Sequence, residues 1–264
     1  LTVPFVLVFT SLVSYRKEGI MKKLVLAALA VTALIASCAP APAKKLVVAQ
    51  DTTFPPMEFI DDTKAQVGFD VDLMNAIAAD QKLDLEFKSV SWDGIFAGVT
   101  NGTYDIVASS VTITDERKQT LDFSDPYINA GQMLVVRADN TKDTKLADFA
   151  GRNVGAQVNT TGSMEVDKIK TIKLKAYDDI ALSFDDLVNK RVDAVVIDGP
   201  VAALYVKNPK FAGKIKTVGD PMTSEFYGIV VKKGNKELLD KINAGLKSVT
   251  ASGKLDELKA KWLK

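Results

Sequence analysis

An α/β protein of two similarly built lobes is the fold class this chain predicts, and three observations carry the expectation. Strand and helix patterns alternate from Lys45 to Trp262, and the strand candidates are short apolar runs of the kind buried in a sheet flanked by helices. One pattern also repeats: Phe96-x-x-Val99-x-Asn101-x-x-x-Asp105-x-Val107 returns 88 positions later as Phe184-x-x-Leu187-x-Asn189-x-x-x-Asp193-x-Val195. Finally, the stretch from Lys44 to Lys264 is long enough for two modest domains. Helix–turn–strand units resemble one another anyway, so the repeat has a plain competing explanation. If it marks two lobes, Ser110 and Asp198 fall at equivalent places after their strands, where open α/β sheets hold ligands.

Taken in order, Lys45 to Gln50 and Asp84 to Lys88 read as strands, and between them Val71, Leu73, Met74, Ile77 and Ala78 mark one face of a helix. Ile106 to Ala108, Asn153 to Ala156, Ala194 to Ile197 and Phe226 to Val231 read as buried strands. Lys236 to Trp262 reads as two amphipathic helices broken near Ser252-Gly253.

The segment ahead of this pattern has a different character. Met21-Lys22-Lys23 followed by the apolar run Leu24 to Ala36 has the form of a cleaved signal, too short to span a bilayer. It ends in Leu34-Ile35-Ala36-Ser37-Cys38, which resembles the bacterial lipobox, where the cysteine is acylated and becomes the new N-terminus. Cys38 is the sole cysteine, so an internal disulfide is ruled out, and the bland alternative is a lone buried thiol. Lys17-Glu18-Gly19 reads back into a purine-rich ribosome-binding sequence, so residues 1–20 are expected to be an upstream segment translated from a wrong start. Residues 21–37 are then a lipoprotein signal peptide and residues 38–44 a lipid-anchored linker, with Ala39-Pro40-Ala41-Pro42-Ala43 an extended tether.

Composition narrows the function. The chain carries 34 basic and 33 acidic residues, net +1. Removing residues 1–37 takes away Arg16, Lys17, Lys22, Lys23 and Glu18, which leaves 30 basic against 32 acidic residues, net −2. No basic stripe for nucleic acid is expected. There is no histidine, so with one lipid-committed cysteine neither a zinc or copper site nor a Ser/His or Cys/His catalytic pair is expected, and no cofactor is implied.

Three motifs then point to a family. Gly68-Phe69-Asp70-Val71-Asp72-Leu73, Ile113-Thr114-Asp115-Glu116-Arg117 and Asp122-Phe123-Ser124-Asp125-Pro126-Tyr127 resemble, in order and spacing, the family-3 extracellular solute-binding proteins. These are the polar amino-acid receptors of ABC importers, and the resemblance runs from about Lys45 to Lys264. Gln81 departs from the apolar or small residue usual there, at a helix end. The resemblance implies a two-lobed periplasmic-binding-protein fold, each lobe a mixed sheet flanked by helices, with two hinge crossings. These are expected near Tyr127 to Gly131 and Ser224 to Gly228, giving residues 45–129 and 226–264 as lobe 1 and 130–225 as lobe 2. Gly131 and Gly228 suit a hinge, or are only strand-end glycines. It also implies a monomer, periplasmic or on the extracytoplasmic face, presenting its ligand to the permease subunits, and the leader adds an anchor to the membrane by lipid on Cys38.

Site residues follow from the residue chemistry read beside that resemblance. Arg117 offers a planar fork of donors for a carboxylate, and family members use the matching arginine for the ligand's α-carboxylate. Thr161 matches a position whose backbone N–H joins that carboxylate, at the start of a predicted helix; an ordinary helix cap explains it as well. Nearby Asn159 departs from the glycine common there. Asp198 matches the counter-charge for the α-ammonium, and Ser110 and Thr112 match positions supplying a carbonyl or hydroxyl. Phe54 and Trp92 match two aromatics that sandwich the ligand side chain, or are core aromatics. Asp51 accepts hydrogen bonds from a cation or an amide, and Gln157 is expected to face the cleft. Ser109 resembles the receptors for basic amino acids more than those for glutamine. A basic or amide-bearing amino acid is therefore expected, with glutamine as the alternative to a basic one. Asp105 and Asp193 read as turn residues with no ligand role. The same fold serves dehydratases and sensors. An enzyme needs a general acid or base against its substrate, which would recast Asp51 and Asp198. A sensor needs a membrane helix and an output domain after the fold, whereas the chain stops at Lys264; neither class is expected.

Overall fold

The computed structural model describes residues 45–263. The predicted upstream segment, the signal, Cys38 and the tether lie outside the described residues. Leu46–Gln50 pairs in parallel with Leu85–Ser89 on one side and Ile106–Val107 on the other. Val230–Lys232 continues the sheet antiparallel, between Ile106–Val107 and Leu121–Phe123. A second sheet repeats this plan: Asn153–Gln157 lies parallel between Lys173–Tyr177 and Ala194–Asp198. Gln132–Arg137 then runs antiparallel between Ala194–Asp198 and Ile215–Val218. Each sheet thus has five strands, three parallel and two closing the antiparallel edge. The α/β expectation holds.

The repeat in the sequence is the centre of this shared plan. Ile95–Asn101 leads into Ile106–Val107 as Ile180–Val188 leads into Ala194–Asp198. In both copies the aspartate of the turn fastens the neighbouring strand. Asp105 accepts from the Val47 N–H at 2.9 Å and its own N–H donates to the Val47 carbonyl. Asp193 does the same with Asn153, at 3.3 Å. The role read for these two acids as turn residues holds.

Helix Phe69–Gln81 follows from its apolar face and is two residues longer at its start than that face suggests, because Asp70 and Asp72 favour the first turn. Phe69, Leu73, Met74 and Ile77 are fully buried, each stabilising the fold by about 1.5–3 kcal/mol relative to exposure. They pack under helix Lys236–Ala251, capped by Asn235, so the C-terminal segment returns to the first sheet. That helix breaks at Gly253, φ 78°, before Lys254–Trp262, as the sequence indicates.

One strand expectation is corrected. Phe226 to Val231 is two strands: Phe226–Tyr227 pairs antiparallel with Ile128–Asn129, and Val230–Lys232 joins the first sheet. Between Leu121–Phe123 and Gln132–Arg137, and again between Ile215–Val218 and Val230–Lys232, the chain passes from one sheet to the other, and the two passages pair here. Close approach of backbone requires glycine at the first, and at the second a larger residue would have to displace a side chain. A Cβ on Gly131 would lie 2.1 Å from the Thr223 carbonyl oxygen, and one on Gly228 2.9 Å from the Ile113 side chain. The sequence reading also missed a small antiparallel sheet of Thr53–Phe54, Glu58–Ile60 and Gln66–Val67.

Candidate functional site

A cavity lies where the parallel strands of both sheets end, the place open α/β sheets reserve for ligands. From the first sheet's side come Asp51, just after Leu46–Gln50, and Ser110 and Thr112, after Ile106–Val107. Arg117 comes from the single turn Asp115–Lys118, started by the Thr114 hydroxyl accepting from the Arg117 N–H. Phe54, Glu58 and Trp92 complete that side. The second sheet's side supplies Gln157, the last residue of its strand, Thr160 and Thr161, and Asp198, the last residue of Ala194–Asp198.

Arg117 is 8% exposed. One terminal nitrogen donates to the Thr112 carbonyl at 2.9 Å and the other to the Asn159 carbonyl at 3.3 Å, so the fork is held from both sides of the cavity. Its carbon sits 5.0 Å from the Phe96 ring centre and 5.6 Å from that of Trp92, which packs edge-on against Phe96. Burial lowers the guanidinium's affinity for its proton, and the charges of Asp198 and Glu225 oppose that, so it stays a cation. Helix Thr161–Lys168 opens beside it, with Thr160 as its cap accepting from the Ser163 N–H. The first-turn amides of a helix have no partner within it and carry the positive end of its dipole, which favours an anion.

Asp198, the last residue of its strand, is 7% exposed. Burial pushes its carboxyl up to about 7, opposed by the Tyr227 hydroxyl and the Gln132 amide and reinforced by the Glu225 carboxylate. Gln132 Nε2 donates to Asp198 at 3.0 Å and reaches Thr161 Oγ1 at 3.2 Å. Thr161 Oγ1 also donates to Glu225 at 2.7 Å. Asp51 occupies a third corner: one oxygen accepts from the Thr53 N–H and hydroxyl, and the other from Gln157 Nε2 at 2.7 Å, a bond joining the two sheets' loops. Burial raises the Asp51 carboxyl above its ordinary range while those bonds pull it down.

Nine of the ten residues singled out in the sequence line this one cavity: Asp51, Phe54, Trp92, Ser110, Thr112, Arg117, Gln157, Thr161 and Asp198. Ser109 stands behind it, its hydroxyl accepting from the Asp51 N–H and donating to Glu58, each at 2.9 Å. Phe54 and Trp92 are buried at 7% exposure and still line the cavity. Ser110 takes a left-handed backbone, φ 51°, which turns its N–H onto Asp70 at 2.7 Å. Asn159 is likewise left-handed, φ 55°; that conformation favours glycine and tolerates asparagine, which accounts for the departure noted there.

Residues 46–264 match the bacterial extracellular solute-binding proteins, family 3. The chain belongs to that family. A probable histidine-binding protein of Neisseria gonorrhoeae is 38% identical over 257 residues, covering 92% of this chain and 96% of its own. The structure of an ancestral arginine-binding protein bound to arginine is similar at a TM-score of 0.80 and 41% identity, covering 83% of this chain and 98% of its own. Another, bound to glutamine, has a TM-score of 0.79 and 42% identity, covering 84% and 99%. These are two-lobed binding proteins, and like them this family-3 protein binds rather than transforms. No metal-holding cluster of His, Cys, Asp or Glu occurs among the described residues.

The sequence missed Glu58 and Thr160, which line the cavity, and Asp70, Gln132 and Glu225, which support it. For Asp70 a signal existed, since it stands in the first family motif. Glu58 follows Pro55-Pro56-Met57, a stretch with no readable period, and only the small three-stranded sheet brings it inward.

Proposed function

We propose that this protein is the receptor of an ABC amino-acid importer and that its ligand is a basic L-amino acid, held with Arg117 on the α-carboxylate and Asp198 on the α-ammonium. The observation that carries the reading is the cavity's charge: one buried cation faces three carboxyl groups, Asp51, Glu58 and Asp198. A zwitterion satisfies Arg117 and Asp198, and a cationic side chain answers the surplus acid at Asp51. Phe54 and Trp92 offer faces to a flat or cationic side chain. Thr161, at the helix opening, and Thr112 assist the carboxylate, Ser110 the ammonium, and Gln157 the side-chain end, with Ser109 holding Asp51 in place.

A glutamine ligand is the second reading. Asp51 is already paired with the Gln157 amide, so its environment suits an amide N–H as well. A calorimetric panel of arginine, lysine, ornithine, histidine and glutamine separates the two. The basic amino acids should bind tightest, and a hundredfold excess over Kd should add about 2.7 kcal/mol of stability. Tight glutamine binding with no basic ligand bound would overturn the assignment.

In the same reading residues 45–129 and 226–264 form lobe 1 and 130–225 form lobe 2, and ligand, touching both, favours the closed form that a permease recognises. The protein works as a monomer on the extracytoplasmic face, tethered by lipid on Cys38 after removal of residues 1–37. Mass spectrometry of membrane-extracted protein should find acylated Cys38 as the first residue; an unmodified chain keeping residues 21–37 would remove the anchor from the scheme.

A further inference from the structure

Glu58 is 1% exposed yet lines the cavity, and beside it Asp70 is equally buried. The two carboxyls share one hydroxyl, Ser110 Oγ, which lies 3.3 Å from Glu58 Oε2 and 3.4 Å from Asp70 Oδ2, and two buried acids so placed are relieved by a proton held on one of them. The donors around the pair favour charge on Asp70: its Oδ2 accepts from the Ser110 N–H at 2.7 Å and from the Tyr127 hydroxyl at 2.9 Å. Glu58 has hydroxyls only, Ser109 Oγ at 2.9 Å on Oε1 and Ser110 Oγ at 3.3 Å on Oε2; the latter also lies 3.4 Å from Asp70. Asp70 Oδ1 is buried without a hydrogen-bond partner among the described residues, and a protonated Glu58 is a group in this cluster able to supply one.

The charges acting on Glu58 are those of Asp70 and Asp51, both anions. Tyr127, just before one strand of the crossing, and Tyr227, on the other, both face Glu58, and burial keeps their phenols protonated. The Arg117 fork is spent on the Thr112 and Asn159 carbonyls, and the carboxylates whose charge acts on it are Asp198, Glu225 and Glu116. Burial and then the Asp70 charge hold the Glu58 carboxyl well above its usual range, while Asp70 itself is raised to about 6.

We propose that the Glu58–Asp70 pair holds one exchangeable proton that a cationic ligand side chain displaces, so that one cavity takes a basic amino acid with Glu58 ionised and an amide-bearing one with Glu58 protonated. This rests on the basic-ligand reading above. With a cation, the Glu58 O–H bond breaks, the proton leaves to solvent, and the carboxylate accepts the ligand's N–H. With an amide, the proton stays on Glu58 toward Asp70, and the Glu58 carbonyl oxygen accepts the neutral N–H. Charge in the pocket is the same in both complexes, which gives a physical reason for similar proteins holding arginine in one structure and glutamine in another.

Calorimetry of arginine and of citrulline, its uncharged near-isostere, in buffers of different ionisation enthalpy counts the protons released. Asp198 meets the α-ammonium of both ligands, so the difference between them isolates the side-chain end. Arginine should release up to about one proton more than citrulline, and its affinity relative to citrulline should rise about tenfold per pH unit while Glu58 is protonated in the free protein. Glu58→Gln should bring arginine's release down to that of citrulline. Equal release by the two ligands in the wild type overturns the inference, as does an excess that survives in Glu58→Gln, which would place the proton on Asp51. Arginine bound without excess release sinks this inference alone; arginine failing to bind at any pH sinks the proposed function and this inference together.

Discussion

The two sheets share strand order, direction and even the turn aspartates Asp105 and Asp193, yet their strand ends carry opposite chemistry. After the centre strand of the first sheet, Ser110 spends its backbone N–H on a buried acid; at the matching place in the second, Asp198 presents its own carboxylate to the cavity. The first sheet's loops carry the buried cation Arg117, and the second's carry a helix opening and Asp198. The frame is dictated by apolar burial and strand pairing, which tolerate a repeated plan. The site is dictated by single side chains on loops, which need not repeat.

Removing either charged end should break this division of labour, and that is the largest effect expected. Arg117→Ala should weaken binding by about 2–5 kcal/mol, because it strands the ligand's carboxylate in a buried cavity without its partner. That is roughly thirtyfold to several thousandfold in Kd. Asp198→Asn should also weaken binding, with the ammonium facing a neutral amide in place of a charge. Titration calorimetry reads both. Wild-type affinity in both variants would mean that the two sheets do not divide the zwitterion between them.

A smaller effect sharpens the same contrast through pH. Asp198, at about 7, and Asp70, at about 6, are raised above the ordinary aspartate value near 4, so the folded protein holds more protons than the unfolded chain between those limits. From these groups, the unliganded protein loses stability as pH rises from about 4 to about 7. In the proposed pose the ammonium needs Asp198 ionised, so ligand binding has the opposite sign, and affinity should fall below pH 7 by up to about tenfold per unit. Thermal melts with and without ligand should therefore show a ligand-induced shift that grows with pH. A shift constant across this range would place the ammonium elsewhere.

Legibility followed the same division. The helices and buried strands could be read because their apolar residues keep period: Val71, Leu73, Met74, Ile77 and Ala78 all prove buried. Arg117 and Asp198 were readable because each ends a recognisable strand-and-turn pattern, and both reach the cavity. Phe226 to Val231 misled because its composition is continuous while its pairing changes at Gly228-Ile229, where the chain leaves one sheet for another. Glu58 was hidden for a related reason. Its burial depends on a three-stranded sheet of two- and three-residue strands, too short to show alternation, and on Asp70 and Ser109 brought from 12 and 51 positions away.

The smallest effect is expected where the two sheets' first loops differ. The loop after Leu46–Gln50 turns with Asp51 accepting from the Thr53 N–H at 3.2 Å, whereas the loop after Asn153–Gln157 turns through left-handed Asn159. Asn159 does two further things: its carbonyl accepts from Arg117, and its amide donates to Asp93 at 3.1 Å, across to the first sheet's loops. Glycine in its place would relieve the left-handed backbone, keep the carbonyl, and lose the exposed bond to Asp93. Those contributions oppose, so Asn159→Gly should change stability by no more than about 0.5 kcal/mol. Asn159→Ala loses the bond and worsens the backbone, so it should cost about 1–2 kcal/mol and loosen the Arg117 fork. Denaturant melts of the two variants test the balance. If alanine proves as harmless as glycine, the loop has another conformation open to it, and the carbonyl that holds Arg117 from the far side is not fixed by Asn159.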